Sequence, residues 1–263
     1  MNKVELMNKA TFIRKKLGED ESSPIDIFKV VQSIDNLSII FYPLNKNISG
    51  VCYKGEKSSV IAINSDMSIG RQRFSLAHEL YHLYYDESAS SSVSLLNIGE
   101  GDETERNADQ FASYFLVPGP TLYEKVDKIG RDNLDIENII KLEQYFGVSH
   151  KAMLYRLVDE GFIDFQTAKY MEYGVVSIAA RLGYDTSIYY PSSPDKKMGV
   201  LGYYISSADK LLDSGLISRG KYEELLLDAF RDDIVYGMNE GEARLDWYYF
   251  FWYWLYKCFF VGE

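Results

Sequence analysis

Residues 74–88 read FSLAHELYHLYYDES, and the H-E-x-x-H run inside them, His78, Glu79 and His82, constrains the chain more than any other stretch. The chain has only three histidines, and two of them stand four residues apart. On an α-helix that spacing stacks the two side chains nearly over one another, so both imidazoles face one way. The surrounding apolar residues agree. Phe74, Ala77, Leu80, Tyr81 and Tyr84 recur every three or four positions, which predicts a helix over about 69–85.

Two imidazoles on one helix face are suited to a zinc ion. A catalytic zinc keeps three protein ligands and a water. Glu79, one residue past the first histidine, points to the side of the pair, where it can reach a water made acidic by the ion and act as general base. The competing reading is a helix that carries two partly exposed histidines by chance.

A third ligand separates the two readings. The stretch ETERNADQFASYFLVP predicts a helix over about 103–116, ended by Pro118-Gly119-Pro120, with Ala108, Phe111, Ala112 and Phe115 as its apolar face. Glu105 lies one turn before Ala108, close to that face. A carboxylate there is buried, and a buried carboxylate is costly without a partner such as a metal ion. Glu103 lies nearer the helix start, where a solvated acidic residue simply suits the helix dipole. Glu105 is therefore the expected third ligand.

Around this pair the chain reads as α+β. Residues 3–17 read as a first helix with Val4, Leu6, Met7, Ala10, Phe12 and Ile13 as its apolar positions and Gly18 as its stop. Ser22-Ser23-Pro24 reads as the cap of a second helix through Ile27, Val31 and Ile34. Three β-like runs follow, 37–42, 50–53 and 59–64, enough for a small antiparallel sheet. Residues 88–103 read as a polar, acidic loop. Residues 135–162 read as two helices around Gly147-Val148-Ser149, and everything beyond 165 as further helices.

The formal net charge of −11 argues against broad contact with a phosphate backbone. The two cysteines, Cys52 and Cys258, form no C-x-x-C pattern, so a reducing compartment fits better than a disulfide framework. The first residues carry charge throughout and lack the apolar core of a secretory signal. No run approaches the roughly eighteen apolar residues of a membrane span. A cytoplasmic protein is the expectation.

RQRFSLAHELYH followed by ERNADQFASYFLVP resembles the ImmA/IrrE family of zinc metallopeptidases, whose active helix reads R-x-x-F-[ST]-x-A-H-E-x-x-H and is followed by E-x-x-A-x-x-F-A-x-x-x-L-x-P. SPIDIFKVVQSI, NISGVCYKG, IAINS and YFGVSHKAMLYRL resemble the family's flanking segments, so the likeness spans about residues 5–160. The resemblance implies a zincin-like core and one zinc ion, with His78, His82 and Glu105 as ligands and Glu79 as catalytic acid/base. It also implies a protein substrate, an Xre-type helix-turn-helix repressor whose cleavage relieves repression in mobile-element or stress-response control. The alternative is a metal-containing regulatory protein that binds a partner regulator, or one member of a toxin–antitoxin-like pair, without cutting it.

The expected organisation is a peptidase core over 1–130, a helix-turn-helix-like pair over 131–165 packed on the core, a helical subdomain over 166–246 and an aromatic tail over 247–263. For the helical pair, packing fits the acidic chain better than DNA contact, and His150 reads as a surface residue at a helix start rather than a ligand. Tyr81, Tyr84, Tyr85 and Tyr114 read as core packing rather than as oxyanion donors. The tail WYYFFWYWLYKCFF, 247–260, holds all three tryptophans and reads as a buried closing element or a partner contact.

Overall fold

The protein is described by a computed structural model that covers residues 1–86, 91–95, 98–99 and 101–237. The aromatic tail, with Cys258, lies outside the described residues, as does part of the stretch between 87 and 100. The chain divides into two compact units, Met1–Tyr204 and Ile205–Glu263.

The first unit opens with α1 (Lys3–Lys16), whose N-cap Asn2 accepts a hydrogen bond from the Glu5 amide and whose last turn carries Arg14, Lys15 and Lys16 against the helix dipole. Leu6, Ala10 and Ile13 are its buried stripe, while Val4 and Phe12 face outward. The second helix is shorter than the sequence suggests. α2 covers only Ile27–Val30 and passes into a 3-10 turn at Val31–Ser33. Ser22 and Ser23 do not cap it; their amides donate to Asp20 Oδ1 at 2.6 Å instead.

β1 (Leu37–Tyr42), β2 (Ile48–Lys54) and β3 (Ser59–Asn64) follow, then α3 (Ile69–Tyr85), β4 (Ser91–Leu95) and α4 (Glu103–Leu116). After these come α5 (Gly119–Ile129), α6 (Ile136–Phe146), α7 (His150–Asp159), α8 (Phe165–Tyr170), α9 (Val175–Arg181) and β5 (Gly199–Gly202). The sheet has the order β4-β2-β3-β1-β5. The fold class is α+β, as expected, with two corrections to the sheet. It is mixed, because β1 runs parallel to β3 with Leu37 opposite Ser59. It is also wider than three strands. β4 lies in the stretch read as an acidic loop and pairs antiparallel with β2, and β5 lies in the stretch read as wholly helical and pairs antiparallel with β1. Both are short and polar or glycine-bounded, so pairing with a neighbour rather than their own pattern makes them strands.

α3 is buried nearly all round, from Phe74 to His82 without a break. It lies against β2 and β3 on one side and against α4 on another. Ser68 caps it, and the Ile69 amide donates to the Tyr190 carbonyl at 2.8 Å. Tyr81 and Tyr85 of α3 meet Phe111 of α4 in ring contacts with centroids 5.7 and 5.9 Å apart. Burying such rings contributes on the order of a few kcal/mol each. The guanidinium of Arg14, fully buried, ties α1 to the end of α4 by donating to the carbonyls of Phe115 at 2.6 Å, Asp20 at 2.8 Å and Ser23.

His150 is buried, not exposed as the sequence suggests. Its Nδ1 meets the buried Glu143 carboxylate at 2.7 Å and its Nε2 meets the Met171 carbonyl at 2.8 Å. A carbonyl only accepts, so Nε2 donates in that bond. The histidine is a structural tie that joins α6 and α7 to the end of α8.

The second unit holds most of α10 (Tyr203–Asp213), α11 (Arg219–Asp228) and α12 (Asp232–Tyr236). Ala208, Leu226 and Ala229 are its buried apolar residues among the described ones. Among the described residues no helix is long and apolar enough to cross a membrane.

Candidate metal centre

On α3, His78 and His82 face α4, and Glu79, one position round the helix, faces β2. The fold brings Glu105 to the histidines from the first turn of α4. That turn starts at Asp102, whose side chain accepts from the Glu105 amide at 3.0 Å. His78 Nε2 lies 3.2 Å from Glu105 Oε2, His82 Nε2 lies 3.2 Å from Glu105 Oε1, and the two Nε2 atoms are 3.1 Å apart. Of the two acidic residues at the start of α4, Glu105 enters the cluster and Glu103 pairs with the amino group of Met1.

The arrangement suits a small divalent ion. Bonds of about 2.0–2.1 Å to a tetrahedral ion set its ligands roughly 3.3 Å apart, close to the spacings found. The tautomers agree. His78 Nδ1 meets Asp109 Oδ1 at 2.8 Å, and His82 Nδ1 meets Asp86 Oδ2 at 3.1 Å. Each carboxylate accepts a hydrogen bond from its Nδ1–H, which leaves both Nε2 lone pairs directed at one point. Two lone pairs that close repel unless a cation, proton or metal, stands between them.

The electrostatics favour positive charge there. Burial alone would lower the pKa of His78, but hydrogen bonds to Asp109 and Glu105 outweigh it and raise it to about 9. His82 is raised as well, against burial, by Glu105. The carboxyl of Glu105 resists burial and falls to about 2 through its bonds to both histidines. Two imidazoles and an ionised carboxylate are also the donor set that zinc prefers.

Glu79 is fully buried, and burial raises its pKa. Neither of its carboxylate oxygens makes a close hydrogen bond among the described residues, and the Ser94 hydroxyl of β4 only partly offsets the effect of burial. A partnerless buried carboxylate is costly, and one beside a metal-ligand cluster has a natural partner in a polarised water. Gly50 makes room for it. A Cβ on Gly50 would stand 2.5 Å from Glu79 Oε1, so β2 admits only glycine at this point without displacing the carboxylate.

Every sequence-predicted site residue thus stands in one cluster: His78, His82 and Glu105 within 4.8 Å of one another, and Glu79 beside them. Sequence reasoning missed Asp109, Asp86 and Gly50. The two aspartates carried a usable signal. Asp109 follows Glu105 by four, and Asp86 follows His82 by four, the spacing that puts a carboxylate over its neighbour. Asp109 is itself anchored, its Oδ2 accepting from the Gly99 amide at 2.6 Å. Gly50 had no such signal, because only the packing of β2 on α3 gives it a role.

An H-E-x-x-H helix over a mixed sheet, with a glutamate from the following helix, defines a metallopeptidase-like centre. Residues 36–158 match the peptidase M78 family, described as IrrE N-terminal-like domain. The matched segment holds His78, Glu79, His82 and Glu105, and the match agrees with the ImmA/IrrE resemblance of the motifs. No curated protein matches the chain.

Proposed function

We propose that this protein is a zinc-dependent endopeptidase that hydrolyses a peptide bond in an Xre-type helix-turn-helix repressor, relieving repression in mobile-element or stress-response control. The observation that carries the reading is a single cluster: the Nε2 atoms of His78 and His82 and the two carboxylate oxygens of Glu105, in contacts of 3.1–3.2 Å, with the fully buried Glu79 beside them. His78, His82 and Glu105 hold the ion. Bound there, the ion supplies Lewis-acid polarisation of water and of the scissile carbonyl. Asp109 and Asp86 fix the imidazole tautomers. Glu79, its basicity increased by burial, takes a proton from the attacking water and returns it to the leaving amine. The free, buried Cys52 supports a cytoplasmic location.

The test uses Glu79→Gln, which removes the base and leaves the three ligands. Metal content should stay at that of the unaltered protein. Cleavage of a co-expressed Xre-type regulator should fall by on the order of 10²–10⁴-fold. A variant that retains its metal and cuts at the normal rate rules this mechanism out.

A further inference from the structure

Glu79 has a neighbour to which the proposed chemistry gives no task. Ser94 of β4 stands opposite Gly50 in the β2–β4 pair. Residues opposite one another in an antiparallel pair present their side chains on the same face of the sheet. Gly50 faces Glu79, since a Cβ there would lie 2.5 Å from Glu79 Oε1. Ser94 is therefore directed at the same carboxylate. β4 packs on α3, and its burial follows that face: Ser94 is fully buried, while Val93 beside it is 53% exposed.

Shape alone would be met by alanine. The Ser94 hydroxyl makes no close hydrogen bond among the described residues, and burying an unpaired hydroxyl costs free energy that a methyl group does not. That hydroxyl nevertheless lies near enough to Glu79 to oppose the effect of burial on the carboxyl. The strand is held at this point. Ser49 Oγ donates to the Ser94 carbonyl at 3.3 Å, and the register shifts between Ile48 and Gly50. An irregularity of that kind beside a site re-aims the side chains around it.

We infer that Ser94 is a positioning residue for Glu79: its hydroxyl donates to Oε1, the carboxylate oxygen turned toward β2, and so keeps Oε2 turned toward the metal-ligand cluster. The inference rests on the peptidase reading and adds to it the group that aims the base. A proton taken from a water at the cluster then has one place to go. Oε1 already accepts from the hydroxyl, so the proton bonds to Oε2 as the water oxygen attacks, and the same O–H bond breaks when the proton passes to the leaving amine. Ser94 keeps its own proton throughout. Without the hydroxyl the carboxylate can turn about its last torsion, whose wells are broad, and no oxygen is fixed on the cluster.

The probe is acetohydroxamate, which chelates zinc and passes its hydroxyl proton to a neighbouring base without being cut. Full-length protein loaded with zinc is titrated with it by calorimetry. Ser94→Ala should weaken binding roughly three- to tenfold, with melting temperature and zinc content unchanged. Glu79→Gln should weaken it too, and adding Ser94→Ala to Glu79→Gln should weaken it no further, because the serine acts only through the carboxylate. Ser94→Thr keeps the hydroxyl and should bind within about twofold of the unaltered protein. Unchanged binding by Ser94→Ala, an equal loss with and without Glu79→Gln, or a stably folded Ser94→Thr that binds as weakly as Ser94→Ala overturns the role. Failure of the unaltered protein to bind the probe overturns both this role and the peptidase reading. A loss in Glu79→Gln alone removes Ser94 and leaves the peptidase reading standing. Full coupling in a protein that cuts no co-expressed regulator keeps Ser94 as the partner of Glu79 and counts against the peptidase.

Discussion

At the scale of single residues, the site depends on side chains that hold other side chains. Asp109 touches His78 and no ligand position, yet it sets which imidazole nitrogen faces the ion. Asp109→Asn keeps the shape and loses the charge, and metal affinity should fall about 10–100-fold, measured by competition with a chelator. Acidity should act in the same direction. Asp109 and Glu105 raise His78 to about 9, so below that pH a proton competes with the ion for Nε2. Metal affinity should therefore climb as pH rises toward about 9 and drop on acidification; a flat profile would argue that the histidines are not ligands. Gly50 acts by what it lacks. Gly50→Ala puts a methyl group 2.5 Å from Glu79 Oε1, and either the strand or the carboxylate must move. The expected cost is about 1–3 kcal/mol of stability, read from denaturant unfolding, with a loss of turnover beyond it.

At the scale of elements, α3 carries three of the four site residues because it is wedged between the sheet and α4, with opposite faces doing different work. The face toward α4 presents imidazoles to Glu105, and the face toward β2 buries Glu79. The periodicity of FSLAHELYHLYY made this helix legible in advance. The same reasoning found α4 and its inward glutamate. It did not find β4 or β5, since three serines with a valine and a leucine, or a Val-Leu pair between two glycines, are too short to mark a strand by themselves. The start of α4 offers a test of how far a helix cap serves the site. Asp102→Ala should cost about 1 kcal/mol of stability, as should Asp135→Ala at the start of α6, where the side chain likewise accepts from a helix amide. Only Asp102→Ala should also weaken metal binding, because only that cap fixes the turn bearing Glu105.

At the scale of the whole molecule, an ion at the proposed site would couple metal binding to folding. Ligands from two helices, with tautomers set by Asp86 and Asp109, come together only in the folded chain, so an ion that binds them stabilises that state. At a hundredfold excess over its dissociation constant the ion should add about 2.7 kcal/mol. Removing it with a chelator should lower the melting temperature of the unaltered protein, and the same treatment should leave a His82→Ala variant unchanged. The cluster of Arg14, Phe115 and the Asp20–Ser23 segment works at this scale too, tying α1 to the helix that bears Glu105 although it touches no site residue.

The sequence by itself picked out the four residues of the cluster, His78, Glu79, His82 and Glu105, and the two helices that bear them. Each is written in short-range spacing: four residues between histidines, one to the base, an apolar stripe to turn Glu105 inward. Tertiary structure decided what spacing cannot encode. It made β1 parallel to β3, turned Ser91–Leu95 and Gly199–Gly202 into strands, buried His150 against Glu143, and set Gly50 against Glu79. Those outcomes depend on which neighbour a segment meets, and a neighbour distant along the chain leaves no periodic mark on the residues it contacts.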